Sequence, residues 1–189
     1  MAEDGKSEGA NKRLNDLVAI TVVLLSVVTG VSNIKDDNVV QAMVKVKSES
    51  VDAWAEYQAA RLKLHVDENA LSHLRVIETI ASIDRALGGK QAAEYESDIA
   101  KYQDRSKETM AKAKALEAEY DRLNFRDDQF DISEAFLSIA VAIAAVATLV
   151  EKYLLLYIAW GAGALGITFC AAGFAGWNLR SEWLAALLT

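Results

Sequence analysis

The chain has 189 residues, of which 52% are apolar, and its formal charge is −7. Nucleic-acid phosphates bind basic surfaces, so this acidic balance excludes nucleic acid as a partner. The chain contains no proline, which is typical of a protein made of helices, because proline interrupts them. Its single cysteine, Cys170, excludes a disulfide within the chain, and no Cys/His spacing typical of a zinc site is present. We therefore predict an all-α fold without a metal or a cofactor.

The N-terminal part of the chain is predicted to be a polar tail, residues 1–13, followed by a first transmembrane helix, residues 14–34. Leu17–Ile34 contains 18 residues without a charge, and about 20 apolar residues cross a hydrocarbon core of about 30 Å. Basic residues precede this segment, as in a signal peptide, but the residues that follow offer only poor cleavage sequences. We interpret the segment as an uncleaved anchor.

Residues 35–131 are predicted to form an extramembrane antiparallel helical hairpin that is similar to a coiled coil. This part of the chain is too charged to enter a membrane, with 15 basic and 20 acidic residues. A heptad pattern in its second half indicates a helix packed against another helix. The seam consists of Ala92, Tyr95, Ile99, Tyr102, Ser106, Thr109, Ala113, Leu116, Tyr120 and Leu123.

The first half of this segment has a less regular apolar pattern, which leaves surface for a neighbour. Its apolar residues form three short stripes: Val40, Val44, Val51 and Trp54; Tyr57, Leu64 and Leu71; and Ala70, Leu74, Ile77 and Ala81. Asp67 is a candidate helix cap, so we expect a break between His65 and Asn69. Glycine favours the backbone conformation of a helix end, so the tip of the hairpin is predicted near residues 88–90, at Gly88 and Gly89.

Two further apolar segments predict a second transmembrane helix at residues 132–150 and a third at residues 153–179, before a C-terminal tail at residues 180–189. A single helix through both would be about twice as long as a bilayer is thick, so we expect a reversal at Glu151–Lys152. Small residues allow membrane helices to approach closely, either within one chain or between subunits. A stripe of them on the third helix consists of Ala159, Gly163, Gly166, Cys170 and Gly173.

Basic residues beside the spans predict the orientation of the chain. One side of the membrane carries Lys6, Lys12, Arg13 and Lys152, and the other carries Lys35, Arg126 and Arg180. Because cytoplasmic flanks carry more lysine and arginine, the N-terminus is predicted to lie in the cytoplasm and the hairpin outside it.

Acidic residues flank the first two spans where these meet the hairpin. They are Asp36, Asp37, Asp127, Asp128, Asp131 and Glu134. A hairpin brings both groups to the same membrane face, and a symmetric oligomer would repeat them as a ring that concentrates cations at a pore mouth. The alternative is that they are hydrated flanks, since the spans carry no charge in their middle.

A second candidate site is a polar and aromatic string in residues 50–60. On a helix, Trp54, Tyr57 and Gln58 share a face. The candidate contact motif consists of Asp52, Trp54, Tyr57, Gln58 and Arg61. It is interpreted either as a contact between helices or subunits, or as a binding site for a partner or ligand.

This Ser-x-Asp-x-Trp-x-x-Tyr-Gln-Ala string, which begins at Ser50, resembles an uncharacterised bacterial membrane-protein family known only as a domain of unknown function. The resemblance in layout extends over residues 12–179 and includes an N-terminal span, a heptad-like helix and a C-terminal pair of spans. Members carry a basic cluster between the last two spans, where this chain has only Glu151 and Lys152. The resemblance implies a bacterial inner-membrane location, and it implies no activity.

These features favour a non-enzymatic, homo-oligomeric integral membrane protein that acts as a scaffold or accessory subunit through its hairpin. Its expected partners are the lipid bilayer, further copies of itself, and another membrane or periplasmic protein. The alternative is an oligomeric ion channel or transport component with an acidic ring. His65 and His73 are eight residues apart and out of line on a helix, so they do not form a metal pair by themselves.

Overall fold

The computed structural model describes residues 4–80 and 85–177, and all of its regular structure is helical. Three helices follow one another: α1 is Asp4–Ile80, α2 is Arg85–Val150 and α3 is Tyr153–Ala175. No strand is present within these described ranges. The prediction of an all-α fold is confirmed.

Each of the three helices is long and apolar enough to cross a membrane. Their most apolar 18-residue windows have mean hydropathies of 2.2, 2.1 and 1.8. Only 17%, 33% and 28% of the residues in these windows are buried, so most of their side chains are at least partly exposed. Apolar residues that face outward along a whole helix are typical of a lipid-exposed surface.

The reversal between α2 and α3 lies at Glu151 and Lys152, as the sequence predicts. Glu151 has a left-handed backbone, with φ of 54°, and the N–H of Lys152 donates to the carbonyl of Ala147 at 3.2 Å. This pattern closes a helix end by satisfying a free carbonyl, and it usually uses glycine. The same arrangement ends α3, where Gly176 has φ of 66° and the N–H of Trp177 donates to Ala172.

Residues 1–43 and 122–189 make up one compact unit, which we call the span unit. All three helices contribute to its core. One buried cluster consists of Leu14, Val18, Ala144, Ala147, Leu156 and Ala159, and a second consists of Leu25, Leu137 and Ala140. Because four of these nine residues are alanine, the helix backbones can lie close together.

Small residues of α3 allow the closest approaches in the span unit. A methyl group added to Gly166 would lie 2.8 Å from Leu137 Cγ, and one added to Gly173 would lie 2.9 Å from the Phe130 ring. All five residues of the predicted stripe are buried. Their observed neighbours belong to α1 and α2 of the same chain, which supports the interpretation of the stripe as packing within one chain.

Residues 44–121 make up the second compact unit, which we call the charged unit. Its two helical segments contact each other in opposite directions. The paired residues are Lys47 with Tyr120, Trp54 with Glu117, Lys63 with Tyr102 and Arg75 with Glu96. The ten residues of the predicted α2 seam are all buried or half-buried.

The side of α1 that packs in the charged unit carries one of the three predicted stripes. In the stripe of Tyr57, Leu64 and Leu71, both leucines are buried and Tyr57 is half-buried. The small residues Ser50, Ala53 and Ala60 complete this packed face. In the stripe that begins at Val40, the three valines are exposed and only Trp54 is half-buried, so it is not part of the packed face.

Two predicted interruptions of the helices are not observed. α1 is continuous from Asp4 to Ile80, so no break lies between His65 and Asn69. α2 begins at Arg85, so Gly88 and Lys90 lie within its first two turns rather than at a tip. Gly88 instead provides close approach, because a methyl group there would meet the carboxylate of Glu78. Residues 81–84 lie outside the described residues.

Candidate functional site

The structure brings together three of the six predicted acidic residues. Asp36 of α1 lies within hydrogen-bonding reach of Asp127 of α2, and Asp131 is close enough to act on both charges. Asp37 and Glu134 are exposed, and Asp128 is half-buried beside Asp127. We call Asp36, Asp127 and Asp131 the acidic cluster.

Partial burial and mutual repulsion change the ionisation of this cluster. Burial, followed by the charge of Asp127, raises the pKa of Asp36 from 3.8 to about 7. Burial and the charge of Asp131 also raise the pKa of Asp127, whereas its hydrogen bond with Asp36 acts in the opposite direction. These effects fit an arrangement in which Asp36 holds the proton and donates it to the carboxylate of Asp127.

Two polar side chains of the span unit are almost fully buried and have an atom without a hydrogen-bond partner among the described residues. Ser32, one helical turn before Asp36, is 1% exposed, and its hydroxyl has no partner among the described residues. Gln129 is also 1% exposed, and its Oε1 has no partner. Buried polar atoms are nearly always hydrogen-bonded, so these positions indicate sites for water.

Side chains of α2 bind the backbone of α3 at the same end of the span unit. Arg126 Nε donates to the carbonyl of Gly173 at 3.1 Å, and Gln129 Nε2 donates to that of Trp177 at 2.6 Å. Ser133 Oγ donates to the carbonyl of Gly166 at 2.9 Å. These three residues, which anchor α3, were not predicted, because a polar residue that bonds to a distant carbonyl follows no sequence spacing.

The candidate contact motif is divided between two faces of α1. Trp54 Nε1 donates to Glu117 Oε1 at 2.8 Å, and its ring meets that of Tyr57 edge-on at 5.5 Å. Asp52 and Gln58 are exposed, and Arg61 is within 3.2 Å of His65 on the same helix. No hydrogen bond from Gln58 to the described part of the other helix is observed.

The described residues contain no group of three His, Cys, Asp or Glu side chains arranged to hold a metal ion. His65 instead pairs with Glu68 at 2.9 Å on the surface of α1. Cys170 is buried as a free thiol.

The fold and the acidic cluster together define a class: an all-helical protein with three helices long and apolar enough to cross a membrane. The chain belongs to the family described as a domain of unknown function (DUF4337), whose model matches residues 14–176. That match covers the described residues of both units except residues 4–13 and 177. No curated protein and no solved structure is significantly similar to the chain.

Proposed function

We propose that the chain is a three-span integral membrane protein that self-associates through an extramembrane helical hairpin and acts as a scaffold or accessory subunit. We assign it no enzymatic activity. The three apolar helices support the membrane location. The opposed contacts of the charged unit support the hairpin.

An apolar stripe on α1 that α2 leaves uncovered carries the proposal of self-association. It runs along the charged unit and consists of Val44, Val51, Ala55, Leu62 and Val66. The four large residues are 66%, 58%, 66% and 56% exposed. At 3.6 residues per turn, this stripe lies about 180° from the buried face of the same helix. A charged helix with two opposite apolar faces is typical of one that packs against two neighbours.

A second copy of the chain is the occupant that we propose for this outer stripe. Membrane-anchored copies concentrate one another in the plane of a bilayer, so weak contacts between their hairpins add up. The stripe is narrow and is flanked by the charged residues Lys45, Asp52 and Arg61, which suits a helix rather than a broad surface. Another membrane or periplasmic protein would then bind the assembled hairpins.

The test is the mass of the protein–detergent complex in a mild detergent. The wild type is expected to be oligomeric, and the Leu62→Gln/Val66→Gln variant is expected to shift toward the monomer. The matched control is Leu87→Gln, which changes an equally exposed leucine of α2 and should leave the mass unchanged. A monomeric wild type, or an equal effect of the control, would contradict the proposal.

We propose further that the membrane is the bacterial inner membrane, with the N-terminus in the cytoplasm and the hairpin in the periplasm. The support is the basic residues near the N-terminus and at Lys152. In a Cys170→Ala background, Ser48→Cys should react with an impermeant maleimide in intact spheroplasts. Asn11→Cys should react only after permeabilisation. The reverse pattern would invert the orientation.

A second candidate function, a cation channel or transport component, is favoured by the meeting of Asp36, Asp127 and Asp131. Repeated around a symmetry axis, such a cluster would attract cations. This function predicts cation flux into liposomes that contain the protein. The flux should be lost in the Asp131→Asn/Glu134→Gln variant. Liposomes without flux would leave the scaffold as the only proposal.

A further inference from the structure

Ser32 and Asp36 lie one helical turn apart on the face of α1 that packs against α2 in the span unit. Leu25 of this face clusters with Leu137 and Ala140 of α2. Ser32 follows Leu25 by seven residues and precedes Asp36 by four, so the same face continues to the acidic cluster. The contact of Asp36 with Asp127 agrees with this register.

Two oxygen atoms on this face are buried and unsatisfied. They are Oγ of Ser32 and Oδ1 of Asp36, and neither has a hydrogen-bond partner among the described residues. A hydroxyl that is 1% exposed would not remain without a partner in a membrane-edge core unless water or a shared proton completed its bonding. This observation is independent of the charge on the carboxyl groups.

The charged groups around Asp36 are predominantly acidic. From α1, Asp37 acts on it, and from α2, Asp127 and Asp131 do, with Asp128 acting on Asp127. Two bases, Lys35 and Arg126, adjoin these acids in the sequence, and the guanidinium of Arg126 donates to carbonyls of α3. No ion pair of the acidic cluster occurs within the described part of the chain.

α3 adds no acidic or basic side chain to this environment over its described length, since its titratable side chains are Tyr153, Tyr157 and Cys170. It contributes the carbonyl oxygens at its C-terminal end, which Arg126 and Gln129 bind. Two adjacent carboxyl groups such as Asp36 and Asp127 avoid mutual repulsion when one of them binds a proton. A proton needs only these two groups, whereas no three-residue metal arrangement occurs among the described residues.

We propose that Asp36 and Asp127 form a proton-binding site in which one proton from the solvent is shared between the two carboxyl groups, with Ser32 and a water molecule completing its hydrogen bonds. Binding breaks no covalent bond: one carboxylate gains the proton and the other accepts its hydrogen bond. Loss of the proton leaves at least two negative charges side by side where α1 meets α2. The span unit is then packed most firmly in its protonated form.

The sign of the pH dependence follows from the direction of the shift. The pKa of Asp36 rises from 3.8 to about 7 in the folded chain, so the folded form binds a proton that the unfolded form has released between these values. The stabilising contribution is therefore complete below about pH 4 and is lost as the pH rises through about 7.

The experiment is an infrared titration of the full chain in phosphatidylcholine vesicles, which follows the carbonyl band of protonated carboxylic acids. The wild type is expected to show one such band at pH 6, with a midpoint near 7. Asp36→Asn should remove the band. Asp127→Asn should lower the midpoint by about one unit or more, because it removes the neighbouring negative charge. Helical circular dichroism verifies that each variant is folded.

The matched control is Asp37→Asn, which removes the same charge from the next residue, an exposed one, and should preserve the band. The inference is overturned by a wild type without a protonated carboxyl at pH 6. It is also overturned if the band is still present in the Asp36→Asn variant. The same holds if Asp37→Asn removes the band as completely as Asp36→Asn does. The infrared band does not depend on oligomeric state or cation flux. Its outcome therefore tests this inference independently of the proposed functions.

Discussion

The span unit and the charged unit are both built from long helices, but they achieve packing by different means. In the span unit, glycine and alanine bring backbones close enough for Leu137 and Phe130 to fill the space beside α3. In the charged unit, the contact is a narrow seam that includes Ser106, Thr109 and Ala113, flanked by exposed ion pairs. Exposed pairs contribute at most about 1 kcal/mol each. The span unit should therefore tolerate added volume poorly, and the charged unit should depend on a few buried aliphatic residues.

The largest expected effect is that of added volume at Gly166. Gly166→Val should destabilise the protein by about 3 kcal/mol, because its side chain would meet both the side chain and the backbone of Leu137. The measurement is thermal or denaturant unfolding in detergent. Gly161→Val is the control, since nothing lies within 4 Å of its added methyl group. Equal effects of the two substitutions would show that α3 does not pack as described.

A smaller effect is expected from the removal of volume in the charged unit. Leu64 is 3% exposed, and Leu64→Ala should destabilise the protein by about 2 kcal/mol. This value is at the lower end for a buried leucine, because two helical segments can move together and partly fill the cavity. Leu87→Ala, at an exposed position, should change stability by less than about 0.5 kcal/mol. Chemical denaturation followed by circular dichroism distinguishes them. If Leu64→Ala were as neutral as its control, the seam would not stabilise the charged unit.

The next effect is stabilising and concerns the tight reversal between α2 and α3 in the span unit. Glu151→Gly should stabilise the protein by about 1 kcal/mol, because Glu151 has a left-handed backbone that glycine adopts without strain. The converse change, Gly176→Ala, should destabilise it by a similar amount at the end of α3. Both are measured as shifts in the unfolding midpoint. A destabilising Glu151→Gly would show that the Glu151 side chain outweighs its backbone strain.

The sequence predicts the packing of α2 and α3 well because their contact faces carry a regular signal. Ten residues spaced three and four apart mark the seam of α2, and small residues mark the buried face of α3. On α1 the signal is ambiguous: Leu64 and Leu71 are buried beside the small residues Ala53 and Ala60, while valines lie on the exposed face. Periodicity of large apolar residues therefore did not distinguish the packed face from the exposed one, since two faces of α1 repeat with the same period.

The candidate site shows a similar division. The sequence could predict that the six acidic residues lie at the same end of the first two spans, because the chain reverses between them. Only Asp36 and Asp127 come within hydrogen-bonding reach, and the exposed Asp131 lies near both. Which carboxyl group turns inward depends on helix rotation, which charge alone does not determine. The sequence also did not identify Ser32 as part of the site. A serine in an apolar span usually donates to a carbonyl of its own helix, as the Thr29 hydroxyl does to the carbonyl of Leu25 at 2.9 Å. The unpartnered hydroxyl of Ser32 appears only when its neighbours are known.

The smallest expected effect concerns the polar contacts of the charged unit. Trp54→Phe removes the hydrogen bond from Nε1 to Glu117 but retains an aromatic ring beside Tyr57, so it should cost about 0.5–1 kcal/mol. Glu117→Gln keeps an acceptor oxygen and should cost less. A double-mutant cycle in chemical denaturation isolates the pair. A coupling well above about 1 kcal/mol would mean that this contact, rather than the buried seam, holds the two segments together.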